Sequence, residues 1–179
     1  EVVKMVTSLS DFFRTTLSKG HDYITVKEER THIESYLEIQ QFRYQDILDY
    51  EIQMDEEIYG YIIPKLTLQP LVENALYHGI KNKRGKGKIL ITGKKQGDKI
   101  IFQVIDNGKG MTEEELNSLR KKMAGTDTGD EAKGFGVSNV NQRIKYYYGE
   151  EYGVFFESKE NEGTNATIII AAKNIQLPS

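Results

Sequence analysis

The stretch that most constrains this chain is an apolar run, Ile100-Ile101-Phe102-Gln103-Val104-Ile105, followed at once by Asp106-Asn107-Gly108-Lys109-Gly110-Met111. The run reads as a mostly buried strand. Side chains alternate faces along a strand, so Asp106 continues the face of Ile100, Phe102 and Val104. A carboxylate closing an apolar face is costly unless a donor meets it. Gly108 and Gly110 then supply backbone that can turn sharply and approach another group closely. Taken alone, the stretch reads first as an Asp-Asn-Gly turn ending a strand. The other reading is a ligand pocket floored by one acceptor and bare backbone, and the rest of the chain must decide.

Upstream, Met5, Leu9, Phe13 and Leu17 recur every fourth residue with Val2, Val6 and Phe12 beside them, predicting an amphipathic helix over residues 2–18 stopped by Lys19-Gly20. Thr25-Val26-Lys27-Glu28 has capping-box spacing and starts a second helix to about Tyr44. Its apolar residues cover more than one stripe, which suits packing on two neighbours. The two helices read either as core packing or as a helical dimerisation stem. From residue 48 the pattern changes: Leu48, Tyr50, Ile52 and Met54 alternate with Asp49, Glu51, Gln53 and Asp55, a half-buried strand. This places a boundary near residue 46, between a stem (1–46) and a globular domain (47–179).

A helix follows Pro64, with Pro70 tolerable only in its first turn. Residues 88–95 and 99–106 form a hairpin around Gln96-Gly97-Asp98. Thr112-Glu113-Glu114-Glu115 is a second capping box, opening a helix to about Ala124. Residues 125–134 carry no apolar anchor beyond an alanine and are expected to be mobile. A helix over 137–148, stopped by Gly149, and strands over 153–159 and 165–172 complete the chain. Four or five strands with helices between them predict an α+β fold, a two-layer sandwich.

Composition narrows the function classes. At 179 residues, 38% hydrophobic and 28% charged, the chain suits one soluble globular domain with a helical appendage. The absence of cysteine excludes disulfides, thiolate zinc sites and cysteine nucleophiles. Apolar runs fall short of the roughly 18 residues of a membrane span. A net charge of −3 argues against a dedicated nucleic-acid binder. The chain opens on Glu1 inside a helical pattern, so it is expected to be a fragment.

In the helix over 68–79, Leu68, Leu71, Val72, Ala75 and Leu76 share one face, while Glu73, Asn74, Tyr77 and His78 share the opposite arc. That arc is either a solvated face or a place for a hard cation, because the Asn74 amide offers an uncharged oxygen and magnesium takes few protein ligands. Gly134-Phe135-Gly136-Val137 ends the loop and opens a helix, leaving backbone N–H groups at a positive terminus suited to an anion. It is neither a Rossmann fingerprint nor a Walker A loop. Gly163-Thr164 begins the last strand, where the Thr164 hydroxyl could share hydrogen bonding with Asp106.

The order of these parts resembles the Bergerat ATP-binding fold of DNA gyrase, MutL, the ninety-kilodalton heat-shock chaperones and histidine kinases, and within it the LytS-type sensor histidine kinases. The resemblance rests on Leu68 to Gly79, Asp106 to Met111, Gly134 to Val140 and Gly163-Thr164, with Tyr36 to Gln40 and Arg43-Tyr44 resembling the family's linker helix. It implies a mixed-sheet sandwich that binds ATP and Mg2+. Asn74 would hold the magnesium. Asp106, with Thr164 beside it, would accept a hydrogen bond from the adenine amino group, and Gly108 and Gly110 would admit the purine. Gly134 and Gly136 would hinge a lid over the phosphates, and Glu73 would orient water or assist proton transfer. Tyr77, His78, Met111 and Val137 fall at further nucleotide-contacting positions.

The implied whole is a homodimeric histidine kinase whose partner is a response regulator. This part would be the cytoplasmic domain of a bacterial inner-membrane protein, joined to the membrane through segments N-terminal to it. The chain departs from the family in lacking the Pro-His-Phe acceptor motif; His21 and His32 read as surface histidines. Tyr77 stands where many relatives have a lysine, for which Lys81, Lys83, Arg84 or Lys86 are substitutes, unless that basic run is a solvated loop. A hydrolytic ATPase of the gyrase or MutL kind, with Glu73 as base, and a non-catalytic nucleotide-binding module are the alternatives.

Overall fold

The computed structural model describes residues 2–17, 22–125 and 135–175. In chain order its elements are α1 (Val2–Leu17), β1 (Tyr23–Thr25), α2 (Val26–Arg43), β2 (Leu48–Met54), β3 (Ile62–Pro64), α3 (Gln69–Asn74), a π-helical turn (Ala75–Ile80), β4 (Gly87–Gln96), β5 (Lys99–Asp106), α4 (Glu113–Met123), α5 (Phe135–Tyr148), β6 (Gly153–Lys159) and β7 (Gly163–Ala171). Five strands form one sheet in the order β2-β4-β5-β7-β6. β2 runs parallel to β4 and the other neighbours are antiparallel, giving the expected mixed sheet.

β5 lies at the centre and buries Ile100, Phe102, Val104 and Asp106 on one face, as their alternation requires. The same core takes Ile89 and Ile91 from β4, Ile168 and Ile170 from β7, and Val154 and Phe156 from β6. Leu71, Val72 and Leu76 close it from one helix, and Val140, Ile144 and Tyr148 from another. Val72 and Leu76, and Val140, Ile144 and Tyr148, fall four apart, with Leu71 beside Val72, so each helix buries one stripe. Thr25 and Thr112 both form complete capping boxes, at the starts of α2 and α4. Pro70 sits in the first turn of α3, where its missing N–H is not needed.

Four features differ from or add to the sequence reading. First, β1 pairs with β3, Tyr23 opposite Pro64 and Thr25 opposite Ile62. Strands of three residues are too short to show an alternation. Second, the helix expected over 68–79 changes hydrogen bonding after Asn74: the Lys81 N–H donates to the Leu76 carbonyl, five residues back, at 3.0 Å. Third, α2 packs on α1 and also places Val26, Ile33, Tyr36 and Leu37 in the same core as the sheet. Fourth, His32 is not a surface histidine. It is 2% exposed and stacks on Phe12 of α1 with ring centroids 4.8 Å apart, because α1 covers the arc of α2 that carries it. Burial lowers its pKa. His21, Gly134 and the segment expected to be mobile beyond Gly125 lie outside the described residues.

Candidate functional site

β5 delivers Asp106 to the end of the buried face, 5% exposed. The donor its burial demands is the Gly108 N–H, 2.8 Å from Oδ1. Burial pushes the Asp106 carboxyl up to about 6, opposed by the Gly108 and Thr164 amides and the charge of Lys83. Thr164 stands directly across from Asp106 on β7. Its hydroxyl is paired with the Ser158 hydroxyl at 2.8 Å, so what Thr164 offers Asp106 is the backbone amide. Ser158 Oγ also accepts from the Met111 N–H at 2.9 Å, fixing the loop after the two glycines.

The π-helical turn meets this loop from the other side. A Cβ on Gly79 would lie 2.5 Å from Asp106 Oδ1, and a Cβ on Gly108 would lie 2.3 Å from the Gly79 carbonyl carbon. Two bare backbones thus touch where helix and strand end meet. At Gly108 the packing of Gly79 leaves no room for a side chain, and Gly108 is not among the residues that line the hollow beside Asp106. Gly110, at φ +68, does lie on the hollow, and its Cβ would strike the Lys159 carbonyl.

Asn74 and Asp106 line one hollow of about 390 Å³, together with His78, Gly110, Met111 and Thr164. A second, shallower hollow of about 250 Å³ shares Asn74 and His78 and adds Glu73, Tyr77, Gly136 and Val137. The residues expected to act together therefore divide into two groups joined by Asn74 and His78. Glu73 belongs to the second group only, and its Oε1 accepts from the Gln69 amide at 3.0 Å.

The basic groups differ from those anticipated. Lys81 Nζ lies 3.7 Å from the Tyr77 ring centroid and 4.4 Å from that of Tyr44, a cation held between two rings. Lys83 Nζ donates to the Asn107 carbonyl at 2.7 Å. Lys86 borders a different hollow, between α1 and α2. The lysines lining the larger hollow are Lys109 and Lys122. Lys122 lies on α4 with Ser118 and Leu119, an element the motifs did not include. Its signal is the i, i+4 spacing of Ser118 and Lys122 on a helix that starts three residues after Gly110.

α4 is held against the sheet by Arg120, whose Nη2 donates to the Phe156 carbonyl at 2.9 Å. Asn141, buried on α5, donates to the Met123 carbonyl at 3.2 Å and accepts from the Val154 N–H at 2.9 Å. Among the described residues no group of three or more His, Cys, Asp or Glu side chains could cage a metal. The donor set fits an ion that takes one amide oxygen from the protein and keeps water and ligand oxygens, as magnesium does.

Residues 64–174 match the family model described as histidine kinase-, DNA gyrase B-, and HSP90-like ATPase, and residues 1–48 match the model described as histidine kinase. Sensor histidine kinase YesM of Bacillus subtilis (strain 168) is 34% identical over 174 residues, covering 97% of this chain and 28% of the relative. Sensor protein LytS of Bacillus anthracis is 30% identical over 171 residues, covering 95% and 28%. The chain thus spans less than a third of these relatives' length. Among solved structures, the nucleotide-free catalytic domain of histidine kinase ThkA aligns with a TM-score of 0.62 at 19% identity, covering 85% of this chain and 97% of that one. The mycobacterial sensor histidine kinase MprB gives 0.59 at 16%, covering 87% and 99%. At these identities the structural likeness is one of fold.

Proposed function

Because this chain belongs to the family of histidine kinase-, DNA gyrase B- and HSP90-like ATPases, with relatives that are sensor histidine kinases, we propose that it is the ATP-binding catalytic region of such a kinase. The whole protein transfers the γ-phosphoryl group of ATP to one of its own histidines, in a homodimer, and a response regulator takes it from there. This region belongs on the cytoplasmic side of a bacterial inner membrane. Residues 1–46 form part of the dimerisation stem and 47–179 the nucleotide domain. The observation that carries the reading is the hollow lined at once by Asp106 and Asn74, from separate elements.

Asp106, ionised above about pH 6, accepts from the purine amino group while Gly108 keeps its other oxygen occupied. Met111 and Gly110 form apolar and bare backbone wall beside it. Asn74 holds the magnesium ion through its amide oxygen. Lys109 and Lys122 act as point charges toward phosphate, the part left open by Tyr77. The backbone at Gly136 and Val137, in the first turn of α5, faces the phosphate end through the second hollow, and Glu73 there orients the acceptor or a water. Mg2+, when bound with ATP, neutralises the charge that builds on the transferring group. His32, buried against Phe12, is no phosphoryl acceptor. The relatives are sensor histidine kinases, which does not favour the hydrolytic reading.

Titration calorimetry tests this. The chain binds MgATP; Asp106→Asn weakens ATP with or without Mg2+, whereas Asn74→Ala removes only the gain that Mg2+ brings. Heatless titration of the wild type, or equal affinity in Asp106→Asn, refutes the proposal.

A further inference from the structure

A second buried carboxylate lies away from both hollows. Glu29, on α2, has no exposed surface. Its Oε1 accepts from the Leu68 N–H at 2.7 Å and its Oε2 from the Leu66 N–H at 3.1 Å, and the Thr67 amide also faces it. Successive amides converging on one anion make a nest, which needs a residue in the left-handed region. Leu66 supplies it at φ +57, a conformation costly for a bulky side chain unless its surroundings fix it.

The far side of Leu66 is also held. Its carbonyl accepts from Arg143 Nη2 on α5 at 3.0 Å, and the Arg143 charge favours ionised Glu29. α3 begins directly after the nest, and its first residues have no side-chain cap of their own. The orphan amide of Leu68 is satisfied from another helix instead. Fewer than two helical turns separate Leu68 from Asn74. The first turns of α3 and α5 also touch, since a Cβ on Gly136 would lie 3.3 Å from Pro70 Cβ. A buried ionised group is weak support for stability compared with an apolar one of the same shape. What it supplies here is direction.

We infer that Glu29 is a positioning residue for the nucleotide site: its grip on residues 66–68 sets where α3 starts, and hence where Asn74 stands, and through Leu66 and Arg143 it locks that point to α5. Glu29 touches no substrate. It makes α2 a lever on the cation-binding end of the site, while the purine end at Asp106 is carried by β5 and the Gly108 amide, which belong to other elements. The inference rests on Asn74 being the magnesium ligand.

The test compares ADP affinity with Mg2+ and with chelator, by calorimetry on the whole chain. Glu29→Gln replaces one acceptor oxygen with a donor that opposes the nest amides. It should weaken MgADP about tenfold while leaving Mg2+-free ADP within about twofold. Arg143→Met, which leaves Glu29 in place, should show the same split at smaller size, and it carries the test should Glu29→Gln not fold. Equal loss in both conditions, the mark of a merely structural residue, overturns the inference, and so does no loss in either. A wild type that binds no nucleotide refutes the proposed function instead. The positional link is then read from amide exchange of the ligand-free chain. The variants should speed exchange in α3 and the first turns of α5 about tenfold, with Phe102 and Val104 unchanged; unchanged exchange in both helices overturns it.

Discussion

A single methyl group at residue 79 attacks the floor of the hollow from behind. An added Cβ would lie 2.5 Å from Asp106 Oδ1 and 2.8 Å from its Cγ, well inside contact distance. The carboxylate must therefore move, and the same oxygen accepts the Gly108 N–H at 2.8 Å. Overpacking of this kind costs about 1–3 kcal/mol. Losing a hydrogen bond to a charged acceptor costs about 1.5–3 kcal/mol. Both costs arise from one displacement and overlap, so Gly79→Ala should lose about 2–4 kcal/mol of stability. For a chain of this size that lowers the melting temperature by about 4–16 °C. The purine acceptor moves with the carboxylate, so MgATP affinity should fall about tenfold or more. Gly108→Ala should be worse, because its Cβ would meet the Gly79 backbone at 2.3 Å and backbone cannot swing aside. Gly60→Ala is the control, with nothing within 4 Å of the added atom. Calorimetric melting and MgATP titration read both quantities. A Gly79→Ala protein that melts and binds like the wild type would show that Asp106 is not pinned by this contact.

MgATP affinity of the wild type should decline as pH falls through about 6, where Asp106 takes up a proton, and the same titrations of Asp106→Asn should show no such step. Stability should move the opposite way. Burial raises Asp106 to about 6 and Glu29 from 4.5 to about 7, so the folded chain keeps protons that the unfolded chain releases. Their contribution is therefore fully present below the unfolded values and is lost as pH rises through the folded ones. For Glu29 this is about 3 kcal/mol between pH 4.5 and 7. Urea midpoints across that range should fall, and fall less in Glu29→Gln. Lys122→Ala should weaken MgATP more at low salt than at high salt while leaving adenosine binding unchanged, since its part is a screened charge on phosphate; equal loss for adenosine would rule that part out.

The sequence made legible those features whose cause is local. Alternation along Ile100 to Val104 determines which side of β5 faces inward, and so where Asp106 emerges. Both capping boxes are four-residue patterns, and both form as written. Nothing local could show that β2 lies parallel beside β4, or that Tyr23–Thr25 pairs with Ile62–Pro64. Those pairings join distant segments, and three-residue strands carry no period. The surface reading of His32 fails for the same reason: its face of α2 is polar in isolation and becomes buried because Phe12 of α1 stacks on it and Gln69 of α3 meets it. The basic run is left open between phosphate contact and a solvated loop, because counting along the chain cannot show that Lys81 is held between Tyr44 and Tyr77 while Lys122 comes round from α4.

The helix bearing Asn74 marks where a period of 3.6 ceases to be a sufficient guide. That period correctly sorts Leu71, Val72 and Leu76 from Asn74 and His78. It cannot foresee that the turn after Asn74 widens, with Lys81 bonding five residues back rather than four. Wide turns of this kind are rare and tend to sit at functional sites. Here the widened turn holds Gly79, the residue whose missing side chain lets the helix lie on Asp106 and Gly108. Were residues 75–80 drawn into a regular α-helix, each residue after the turn would rotate about the axis, and Gly79 would leave that contact. A larger side chain would then face the carboxylate. The hollow thus depends on hydrogen bonding that propensity disfavours and on a glycine that helix propensity also disfavours. Two local costs at one junction, both offset by the close meeting of helix and strand end, are what a binding site built from the ends of two elements requires.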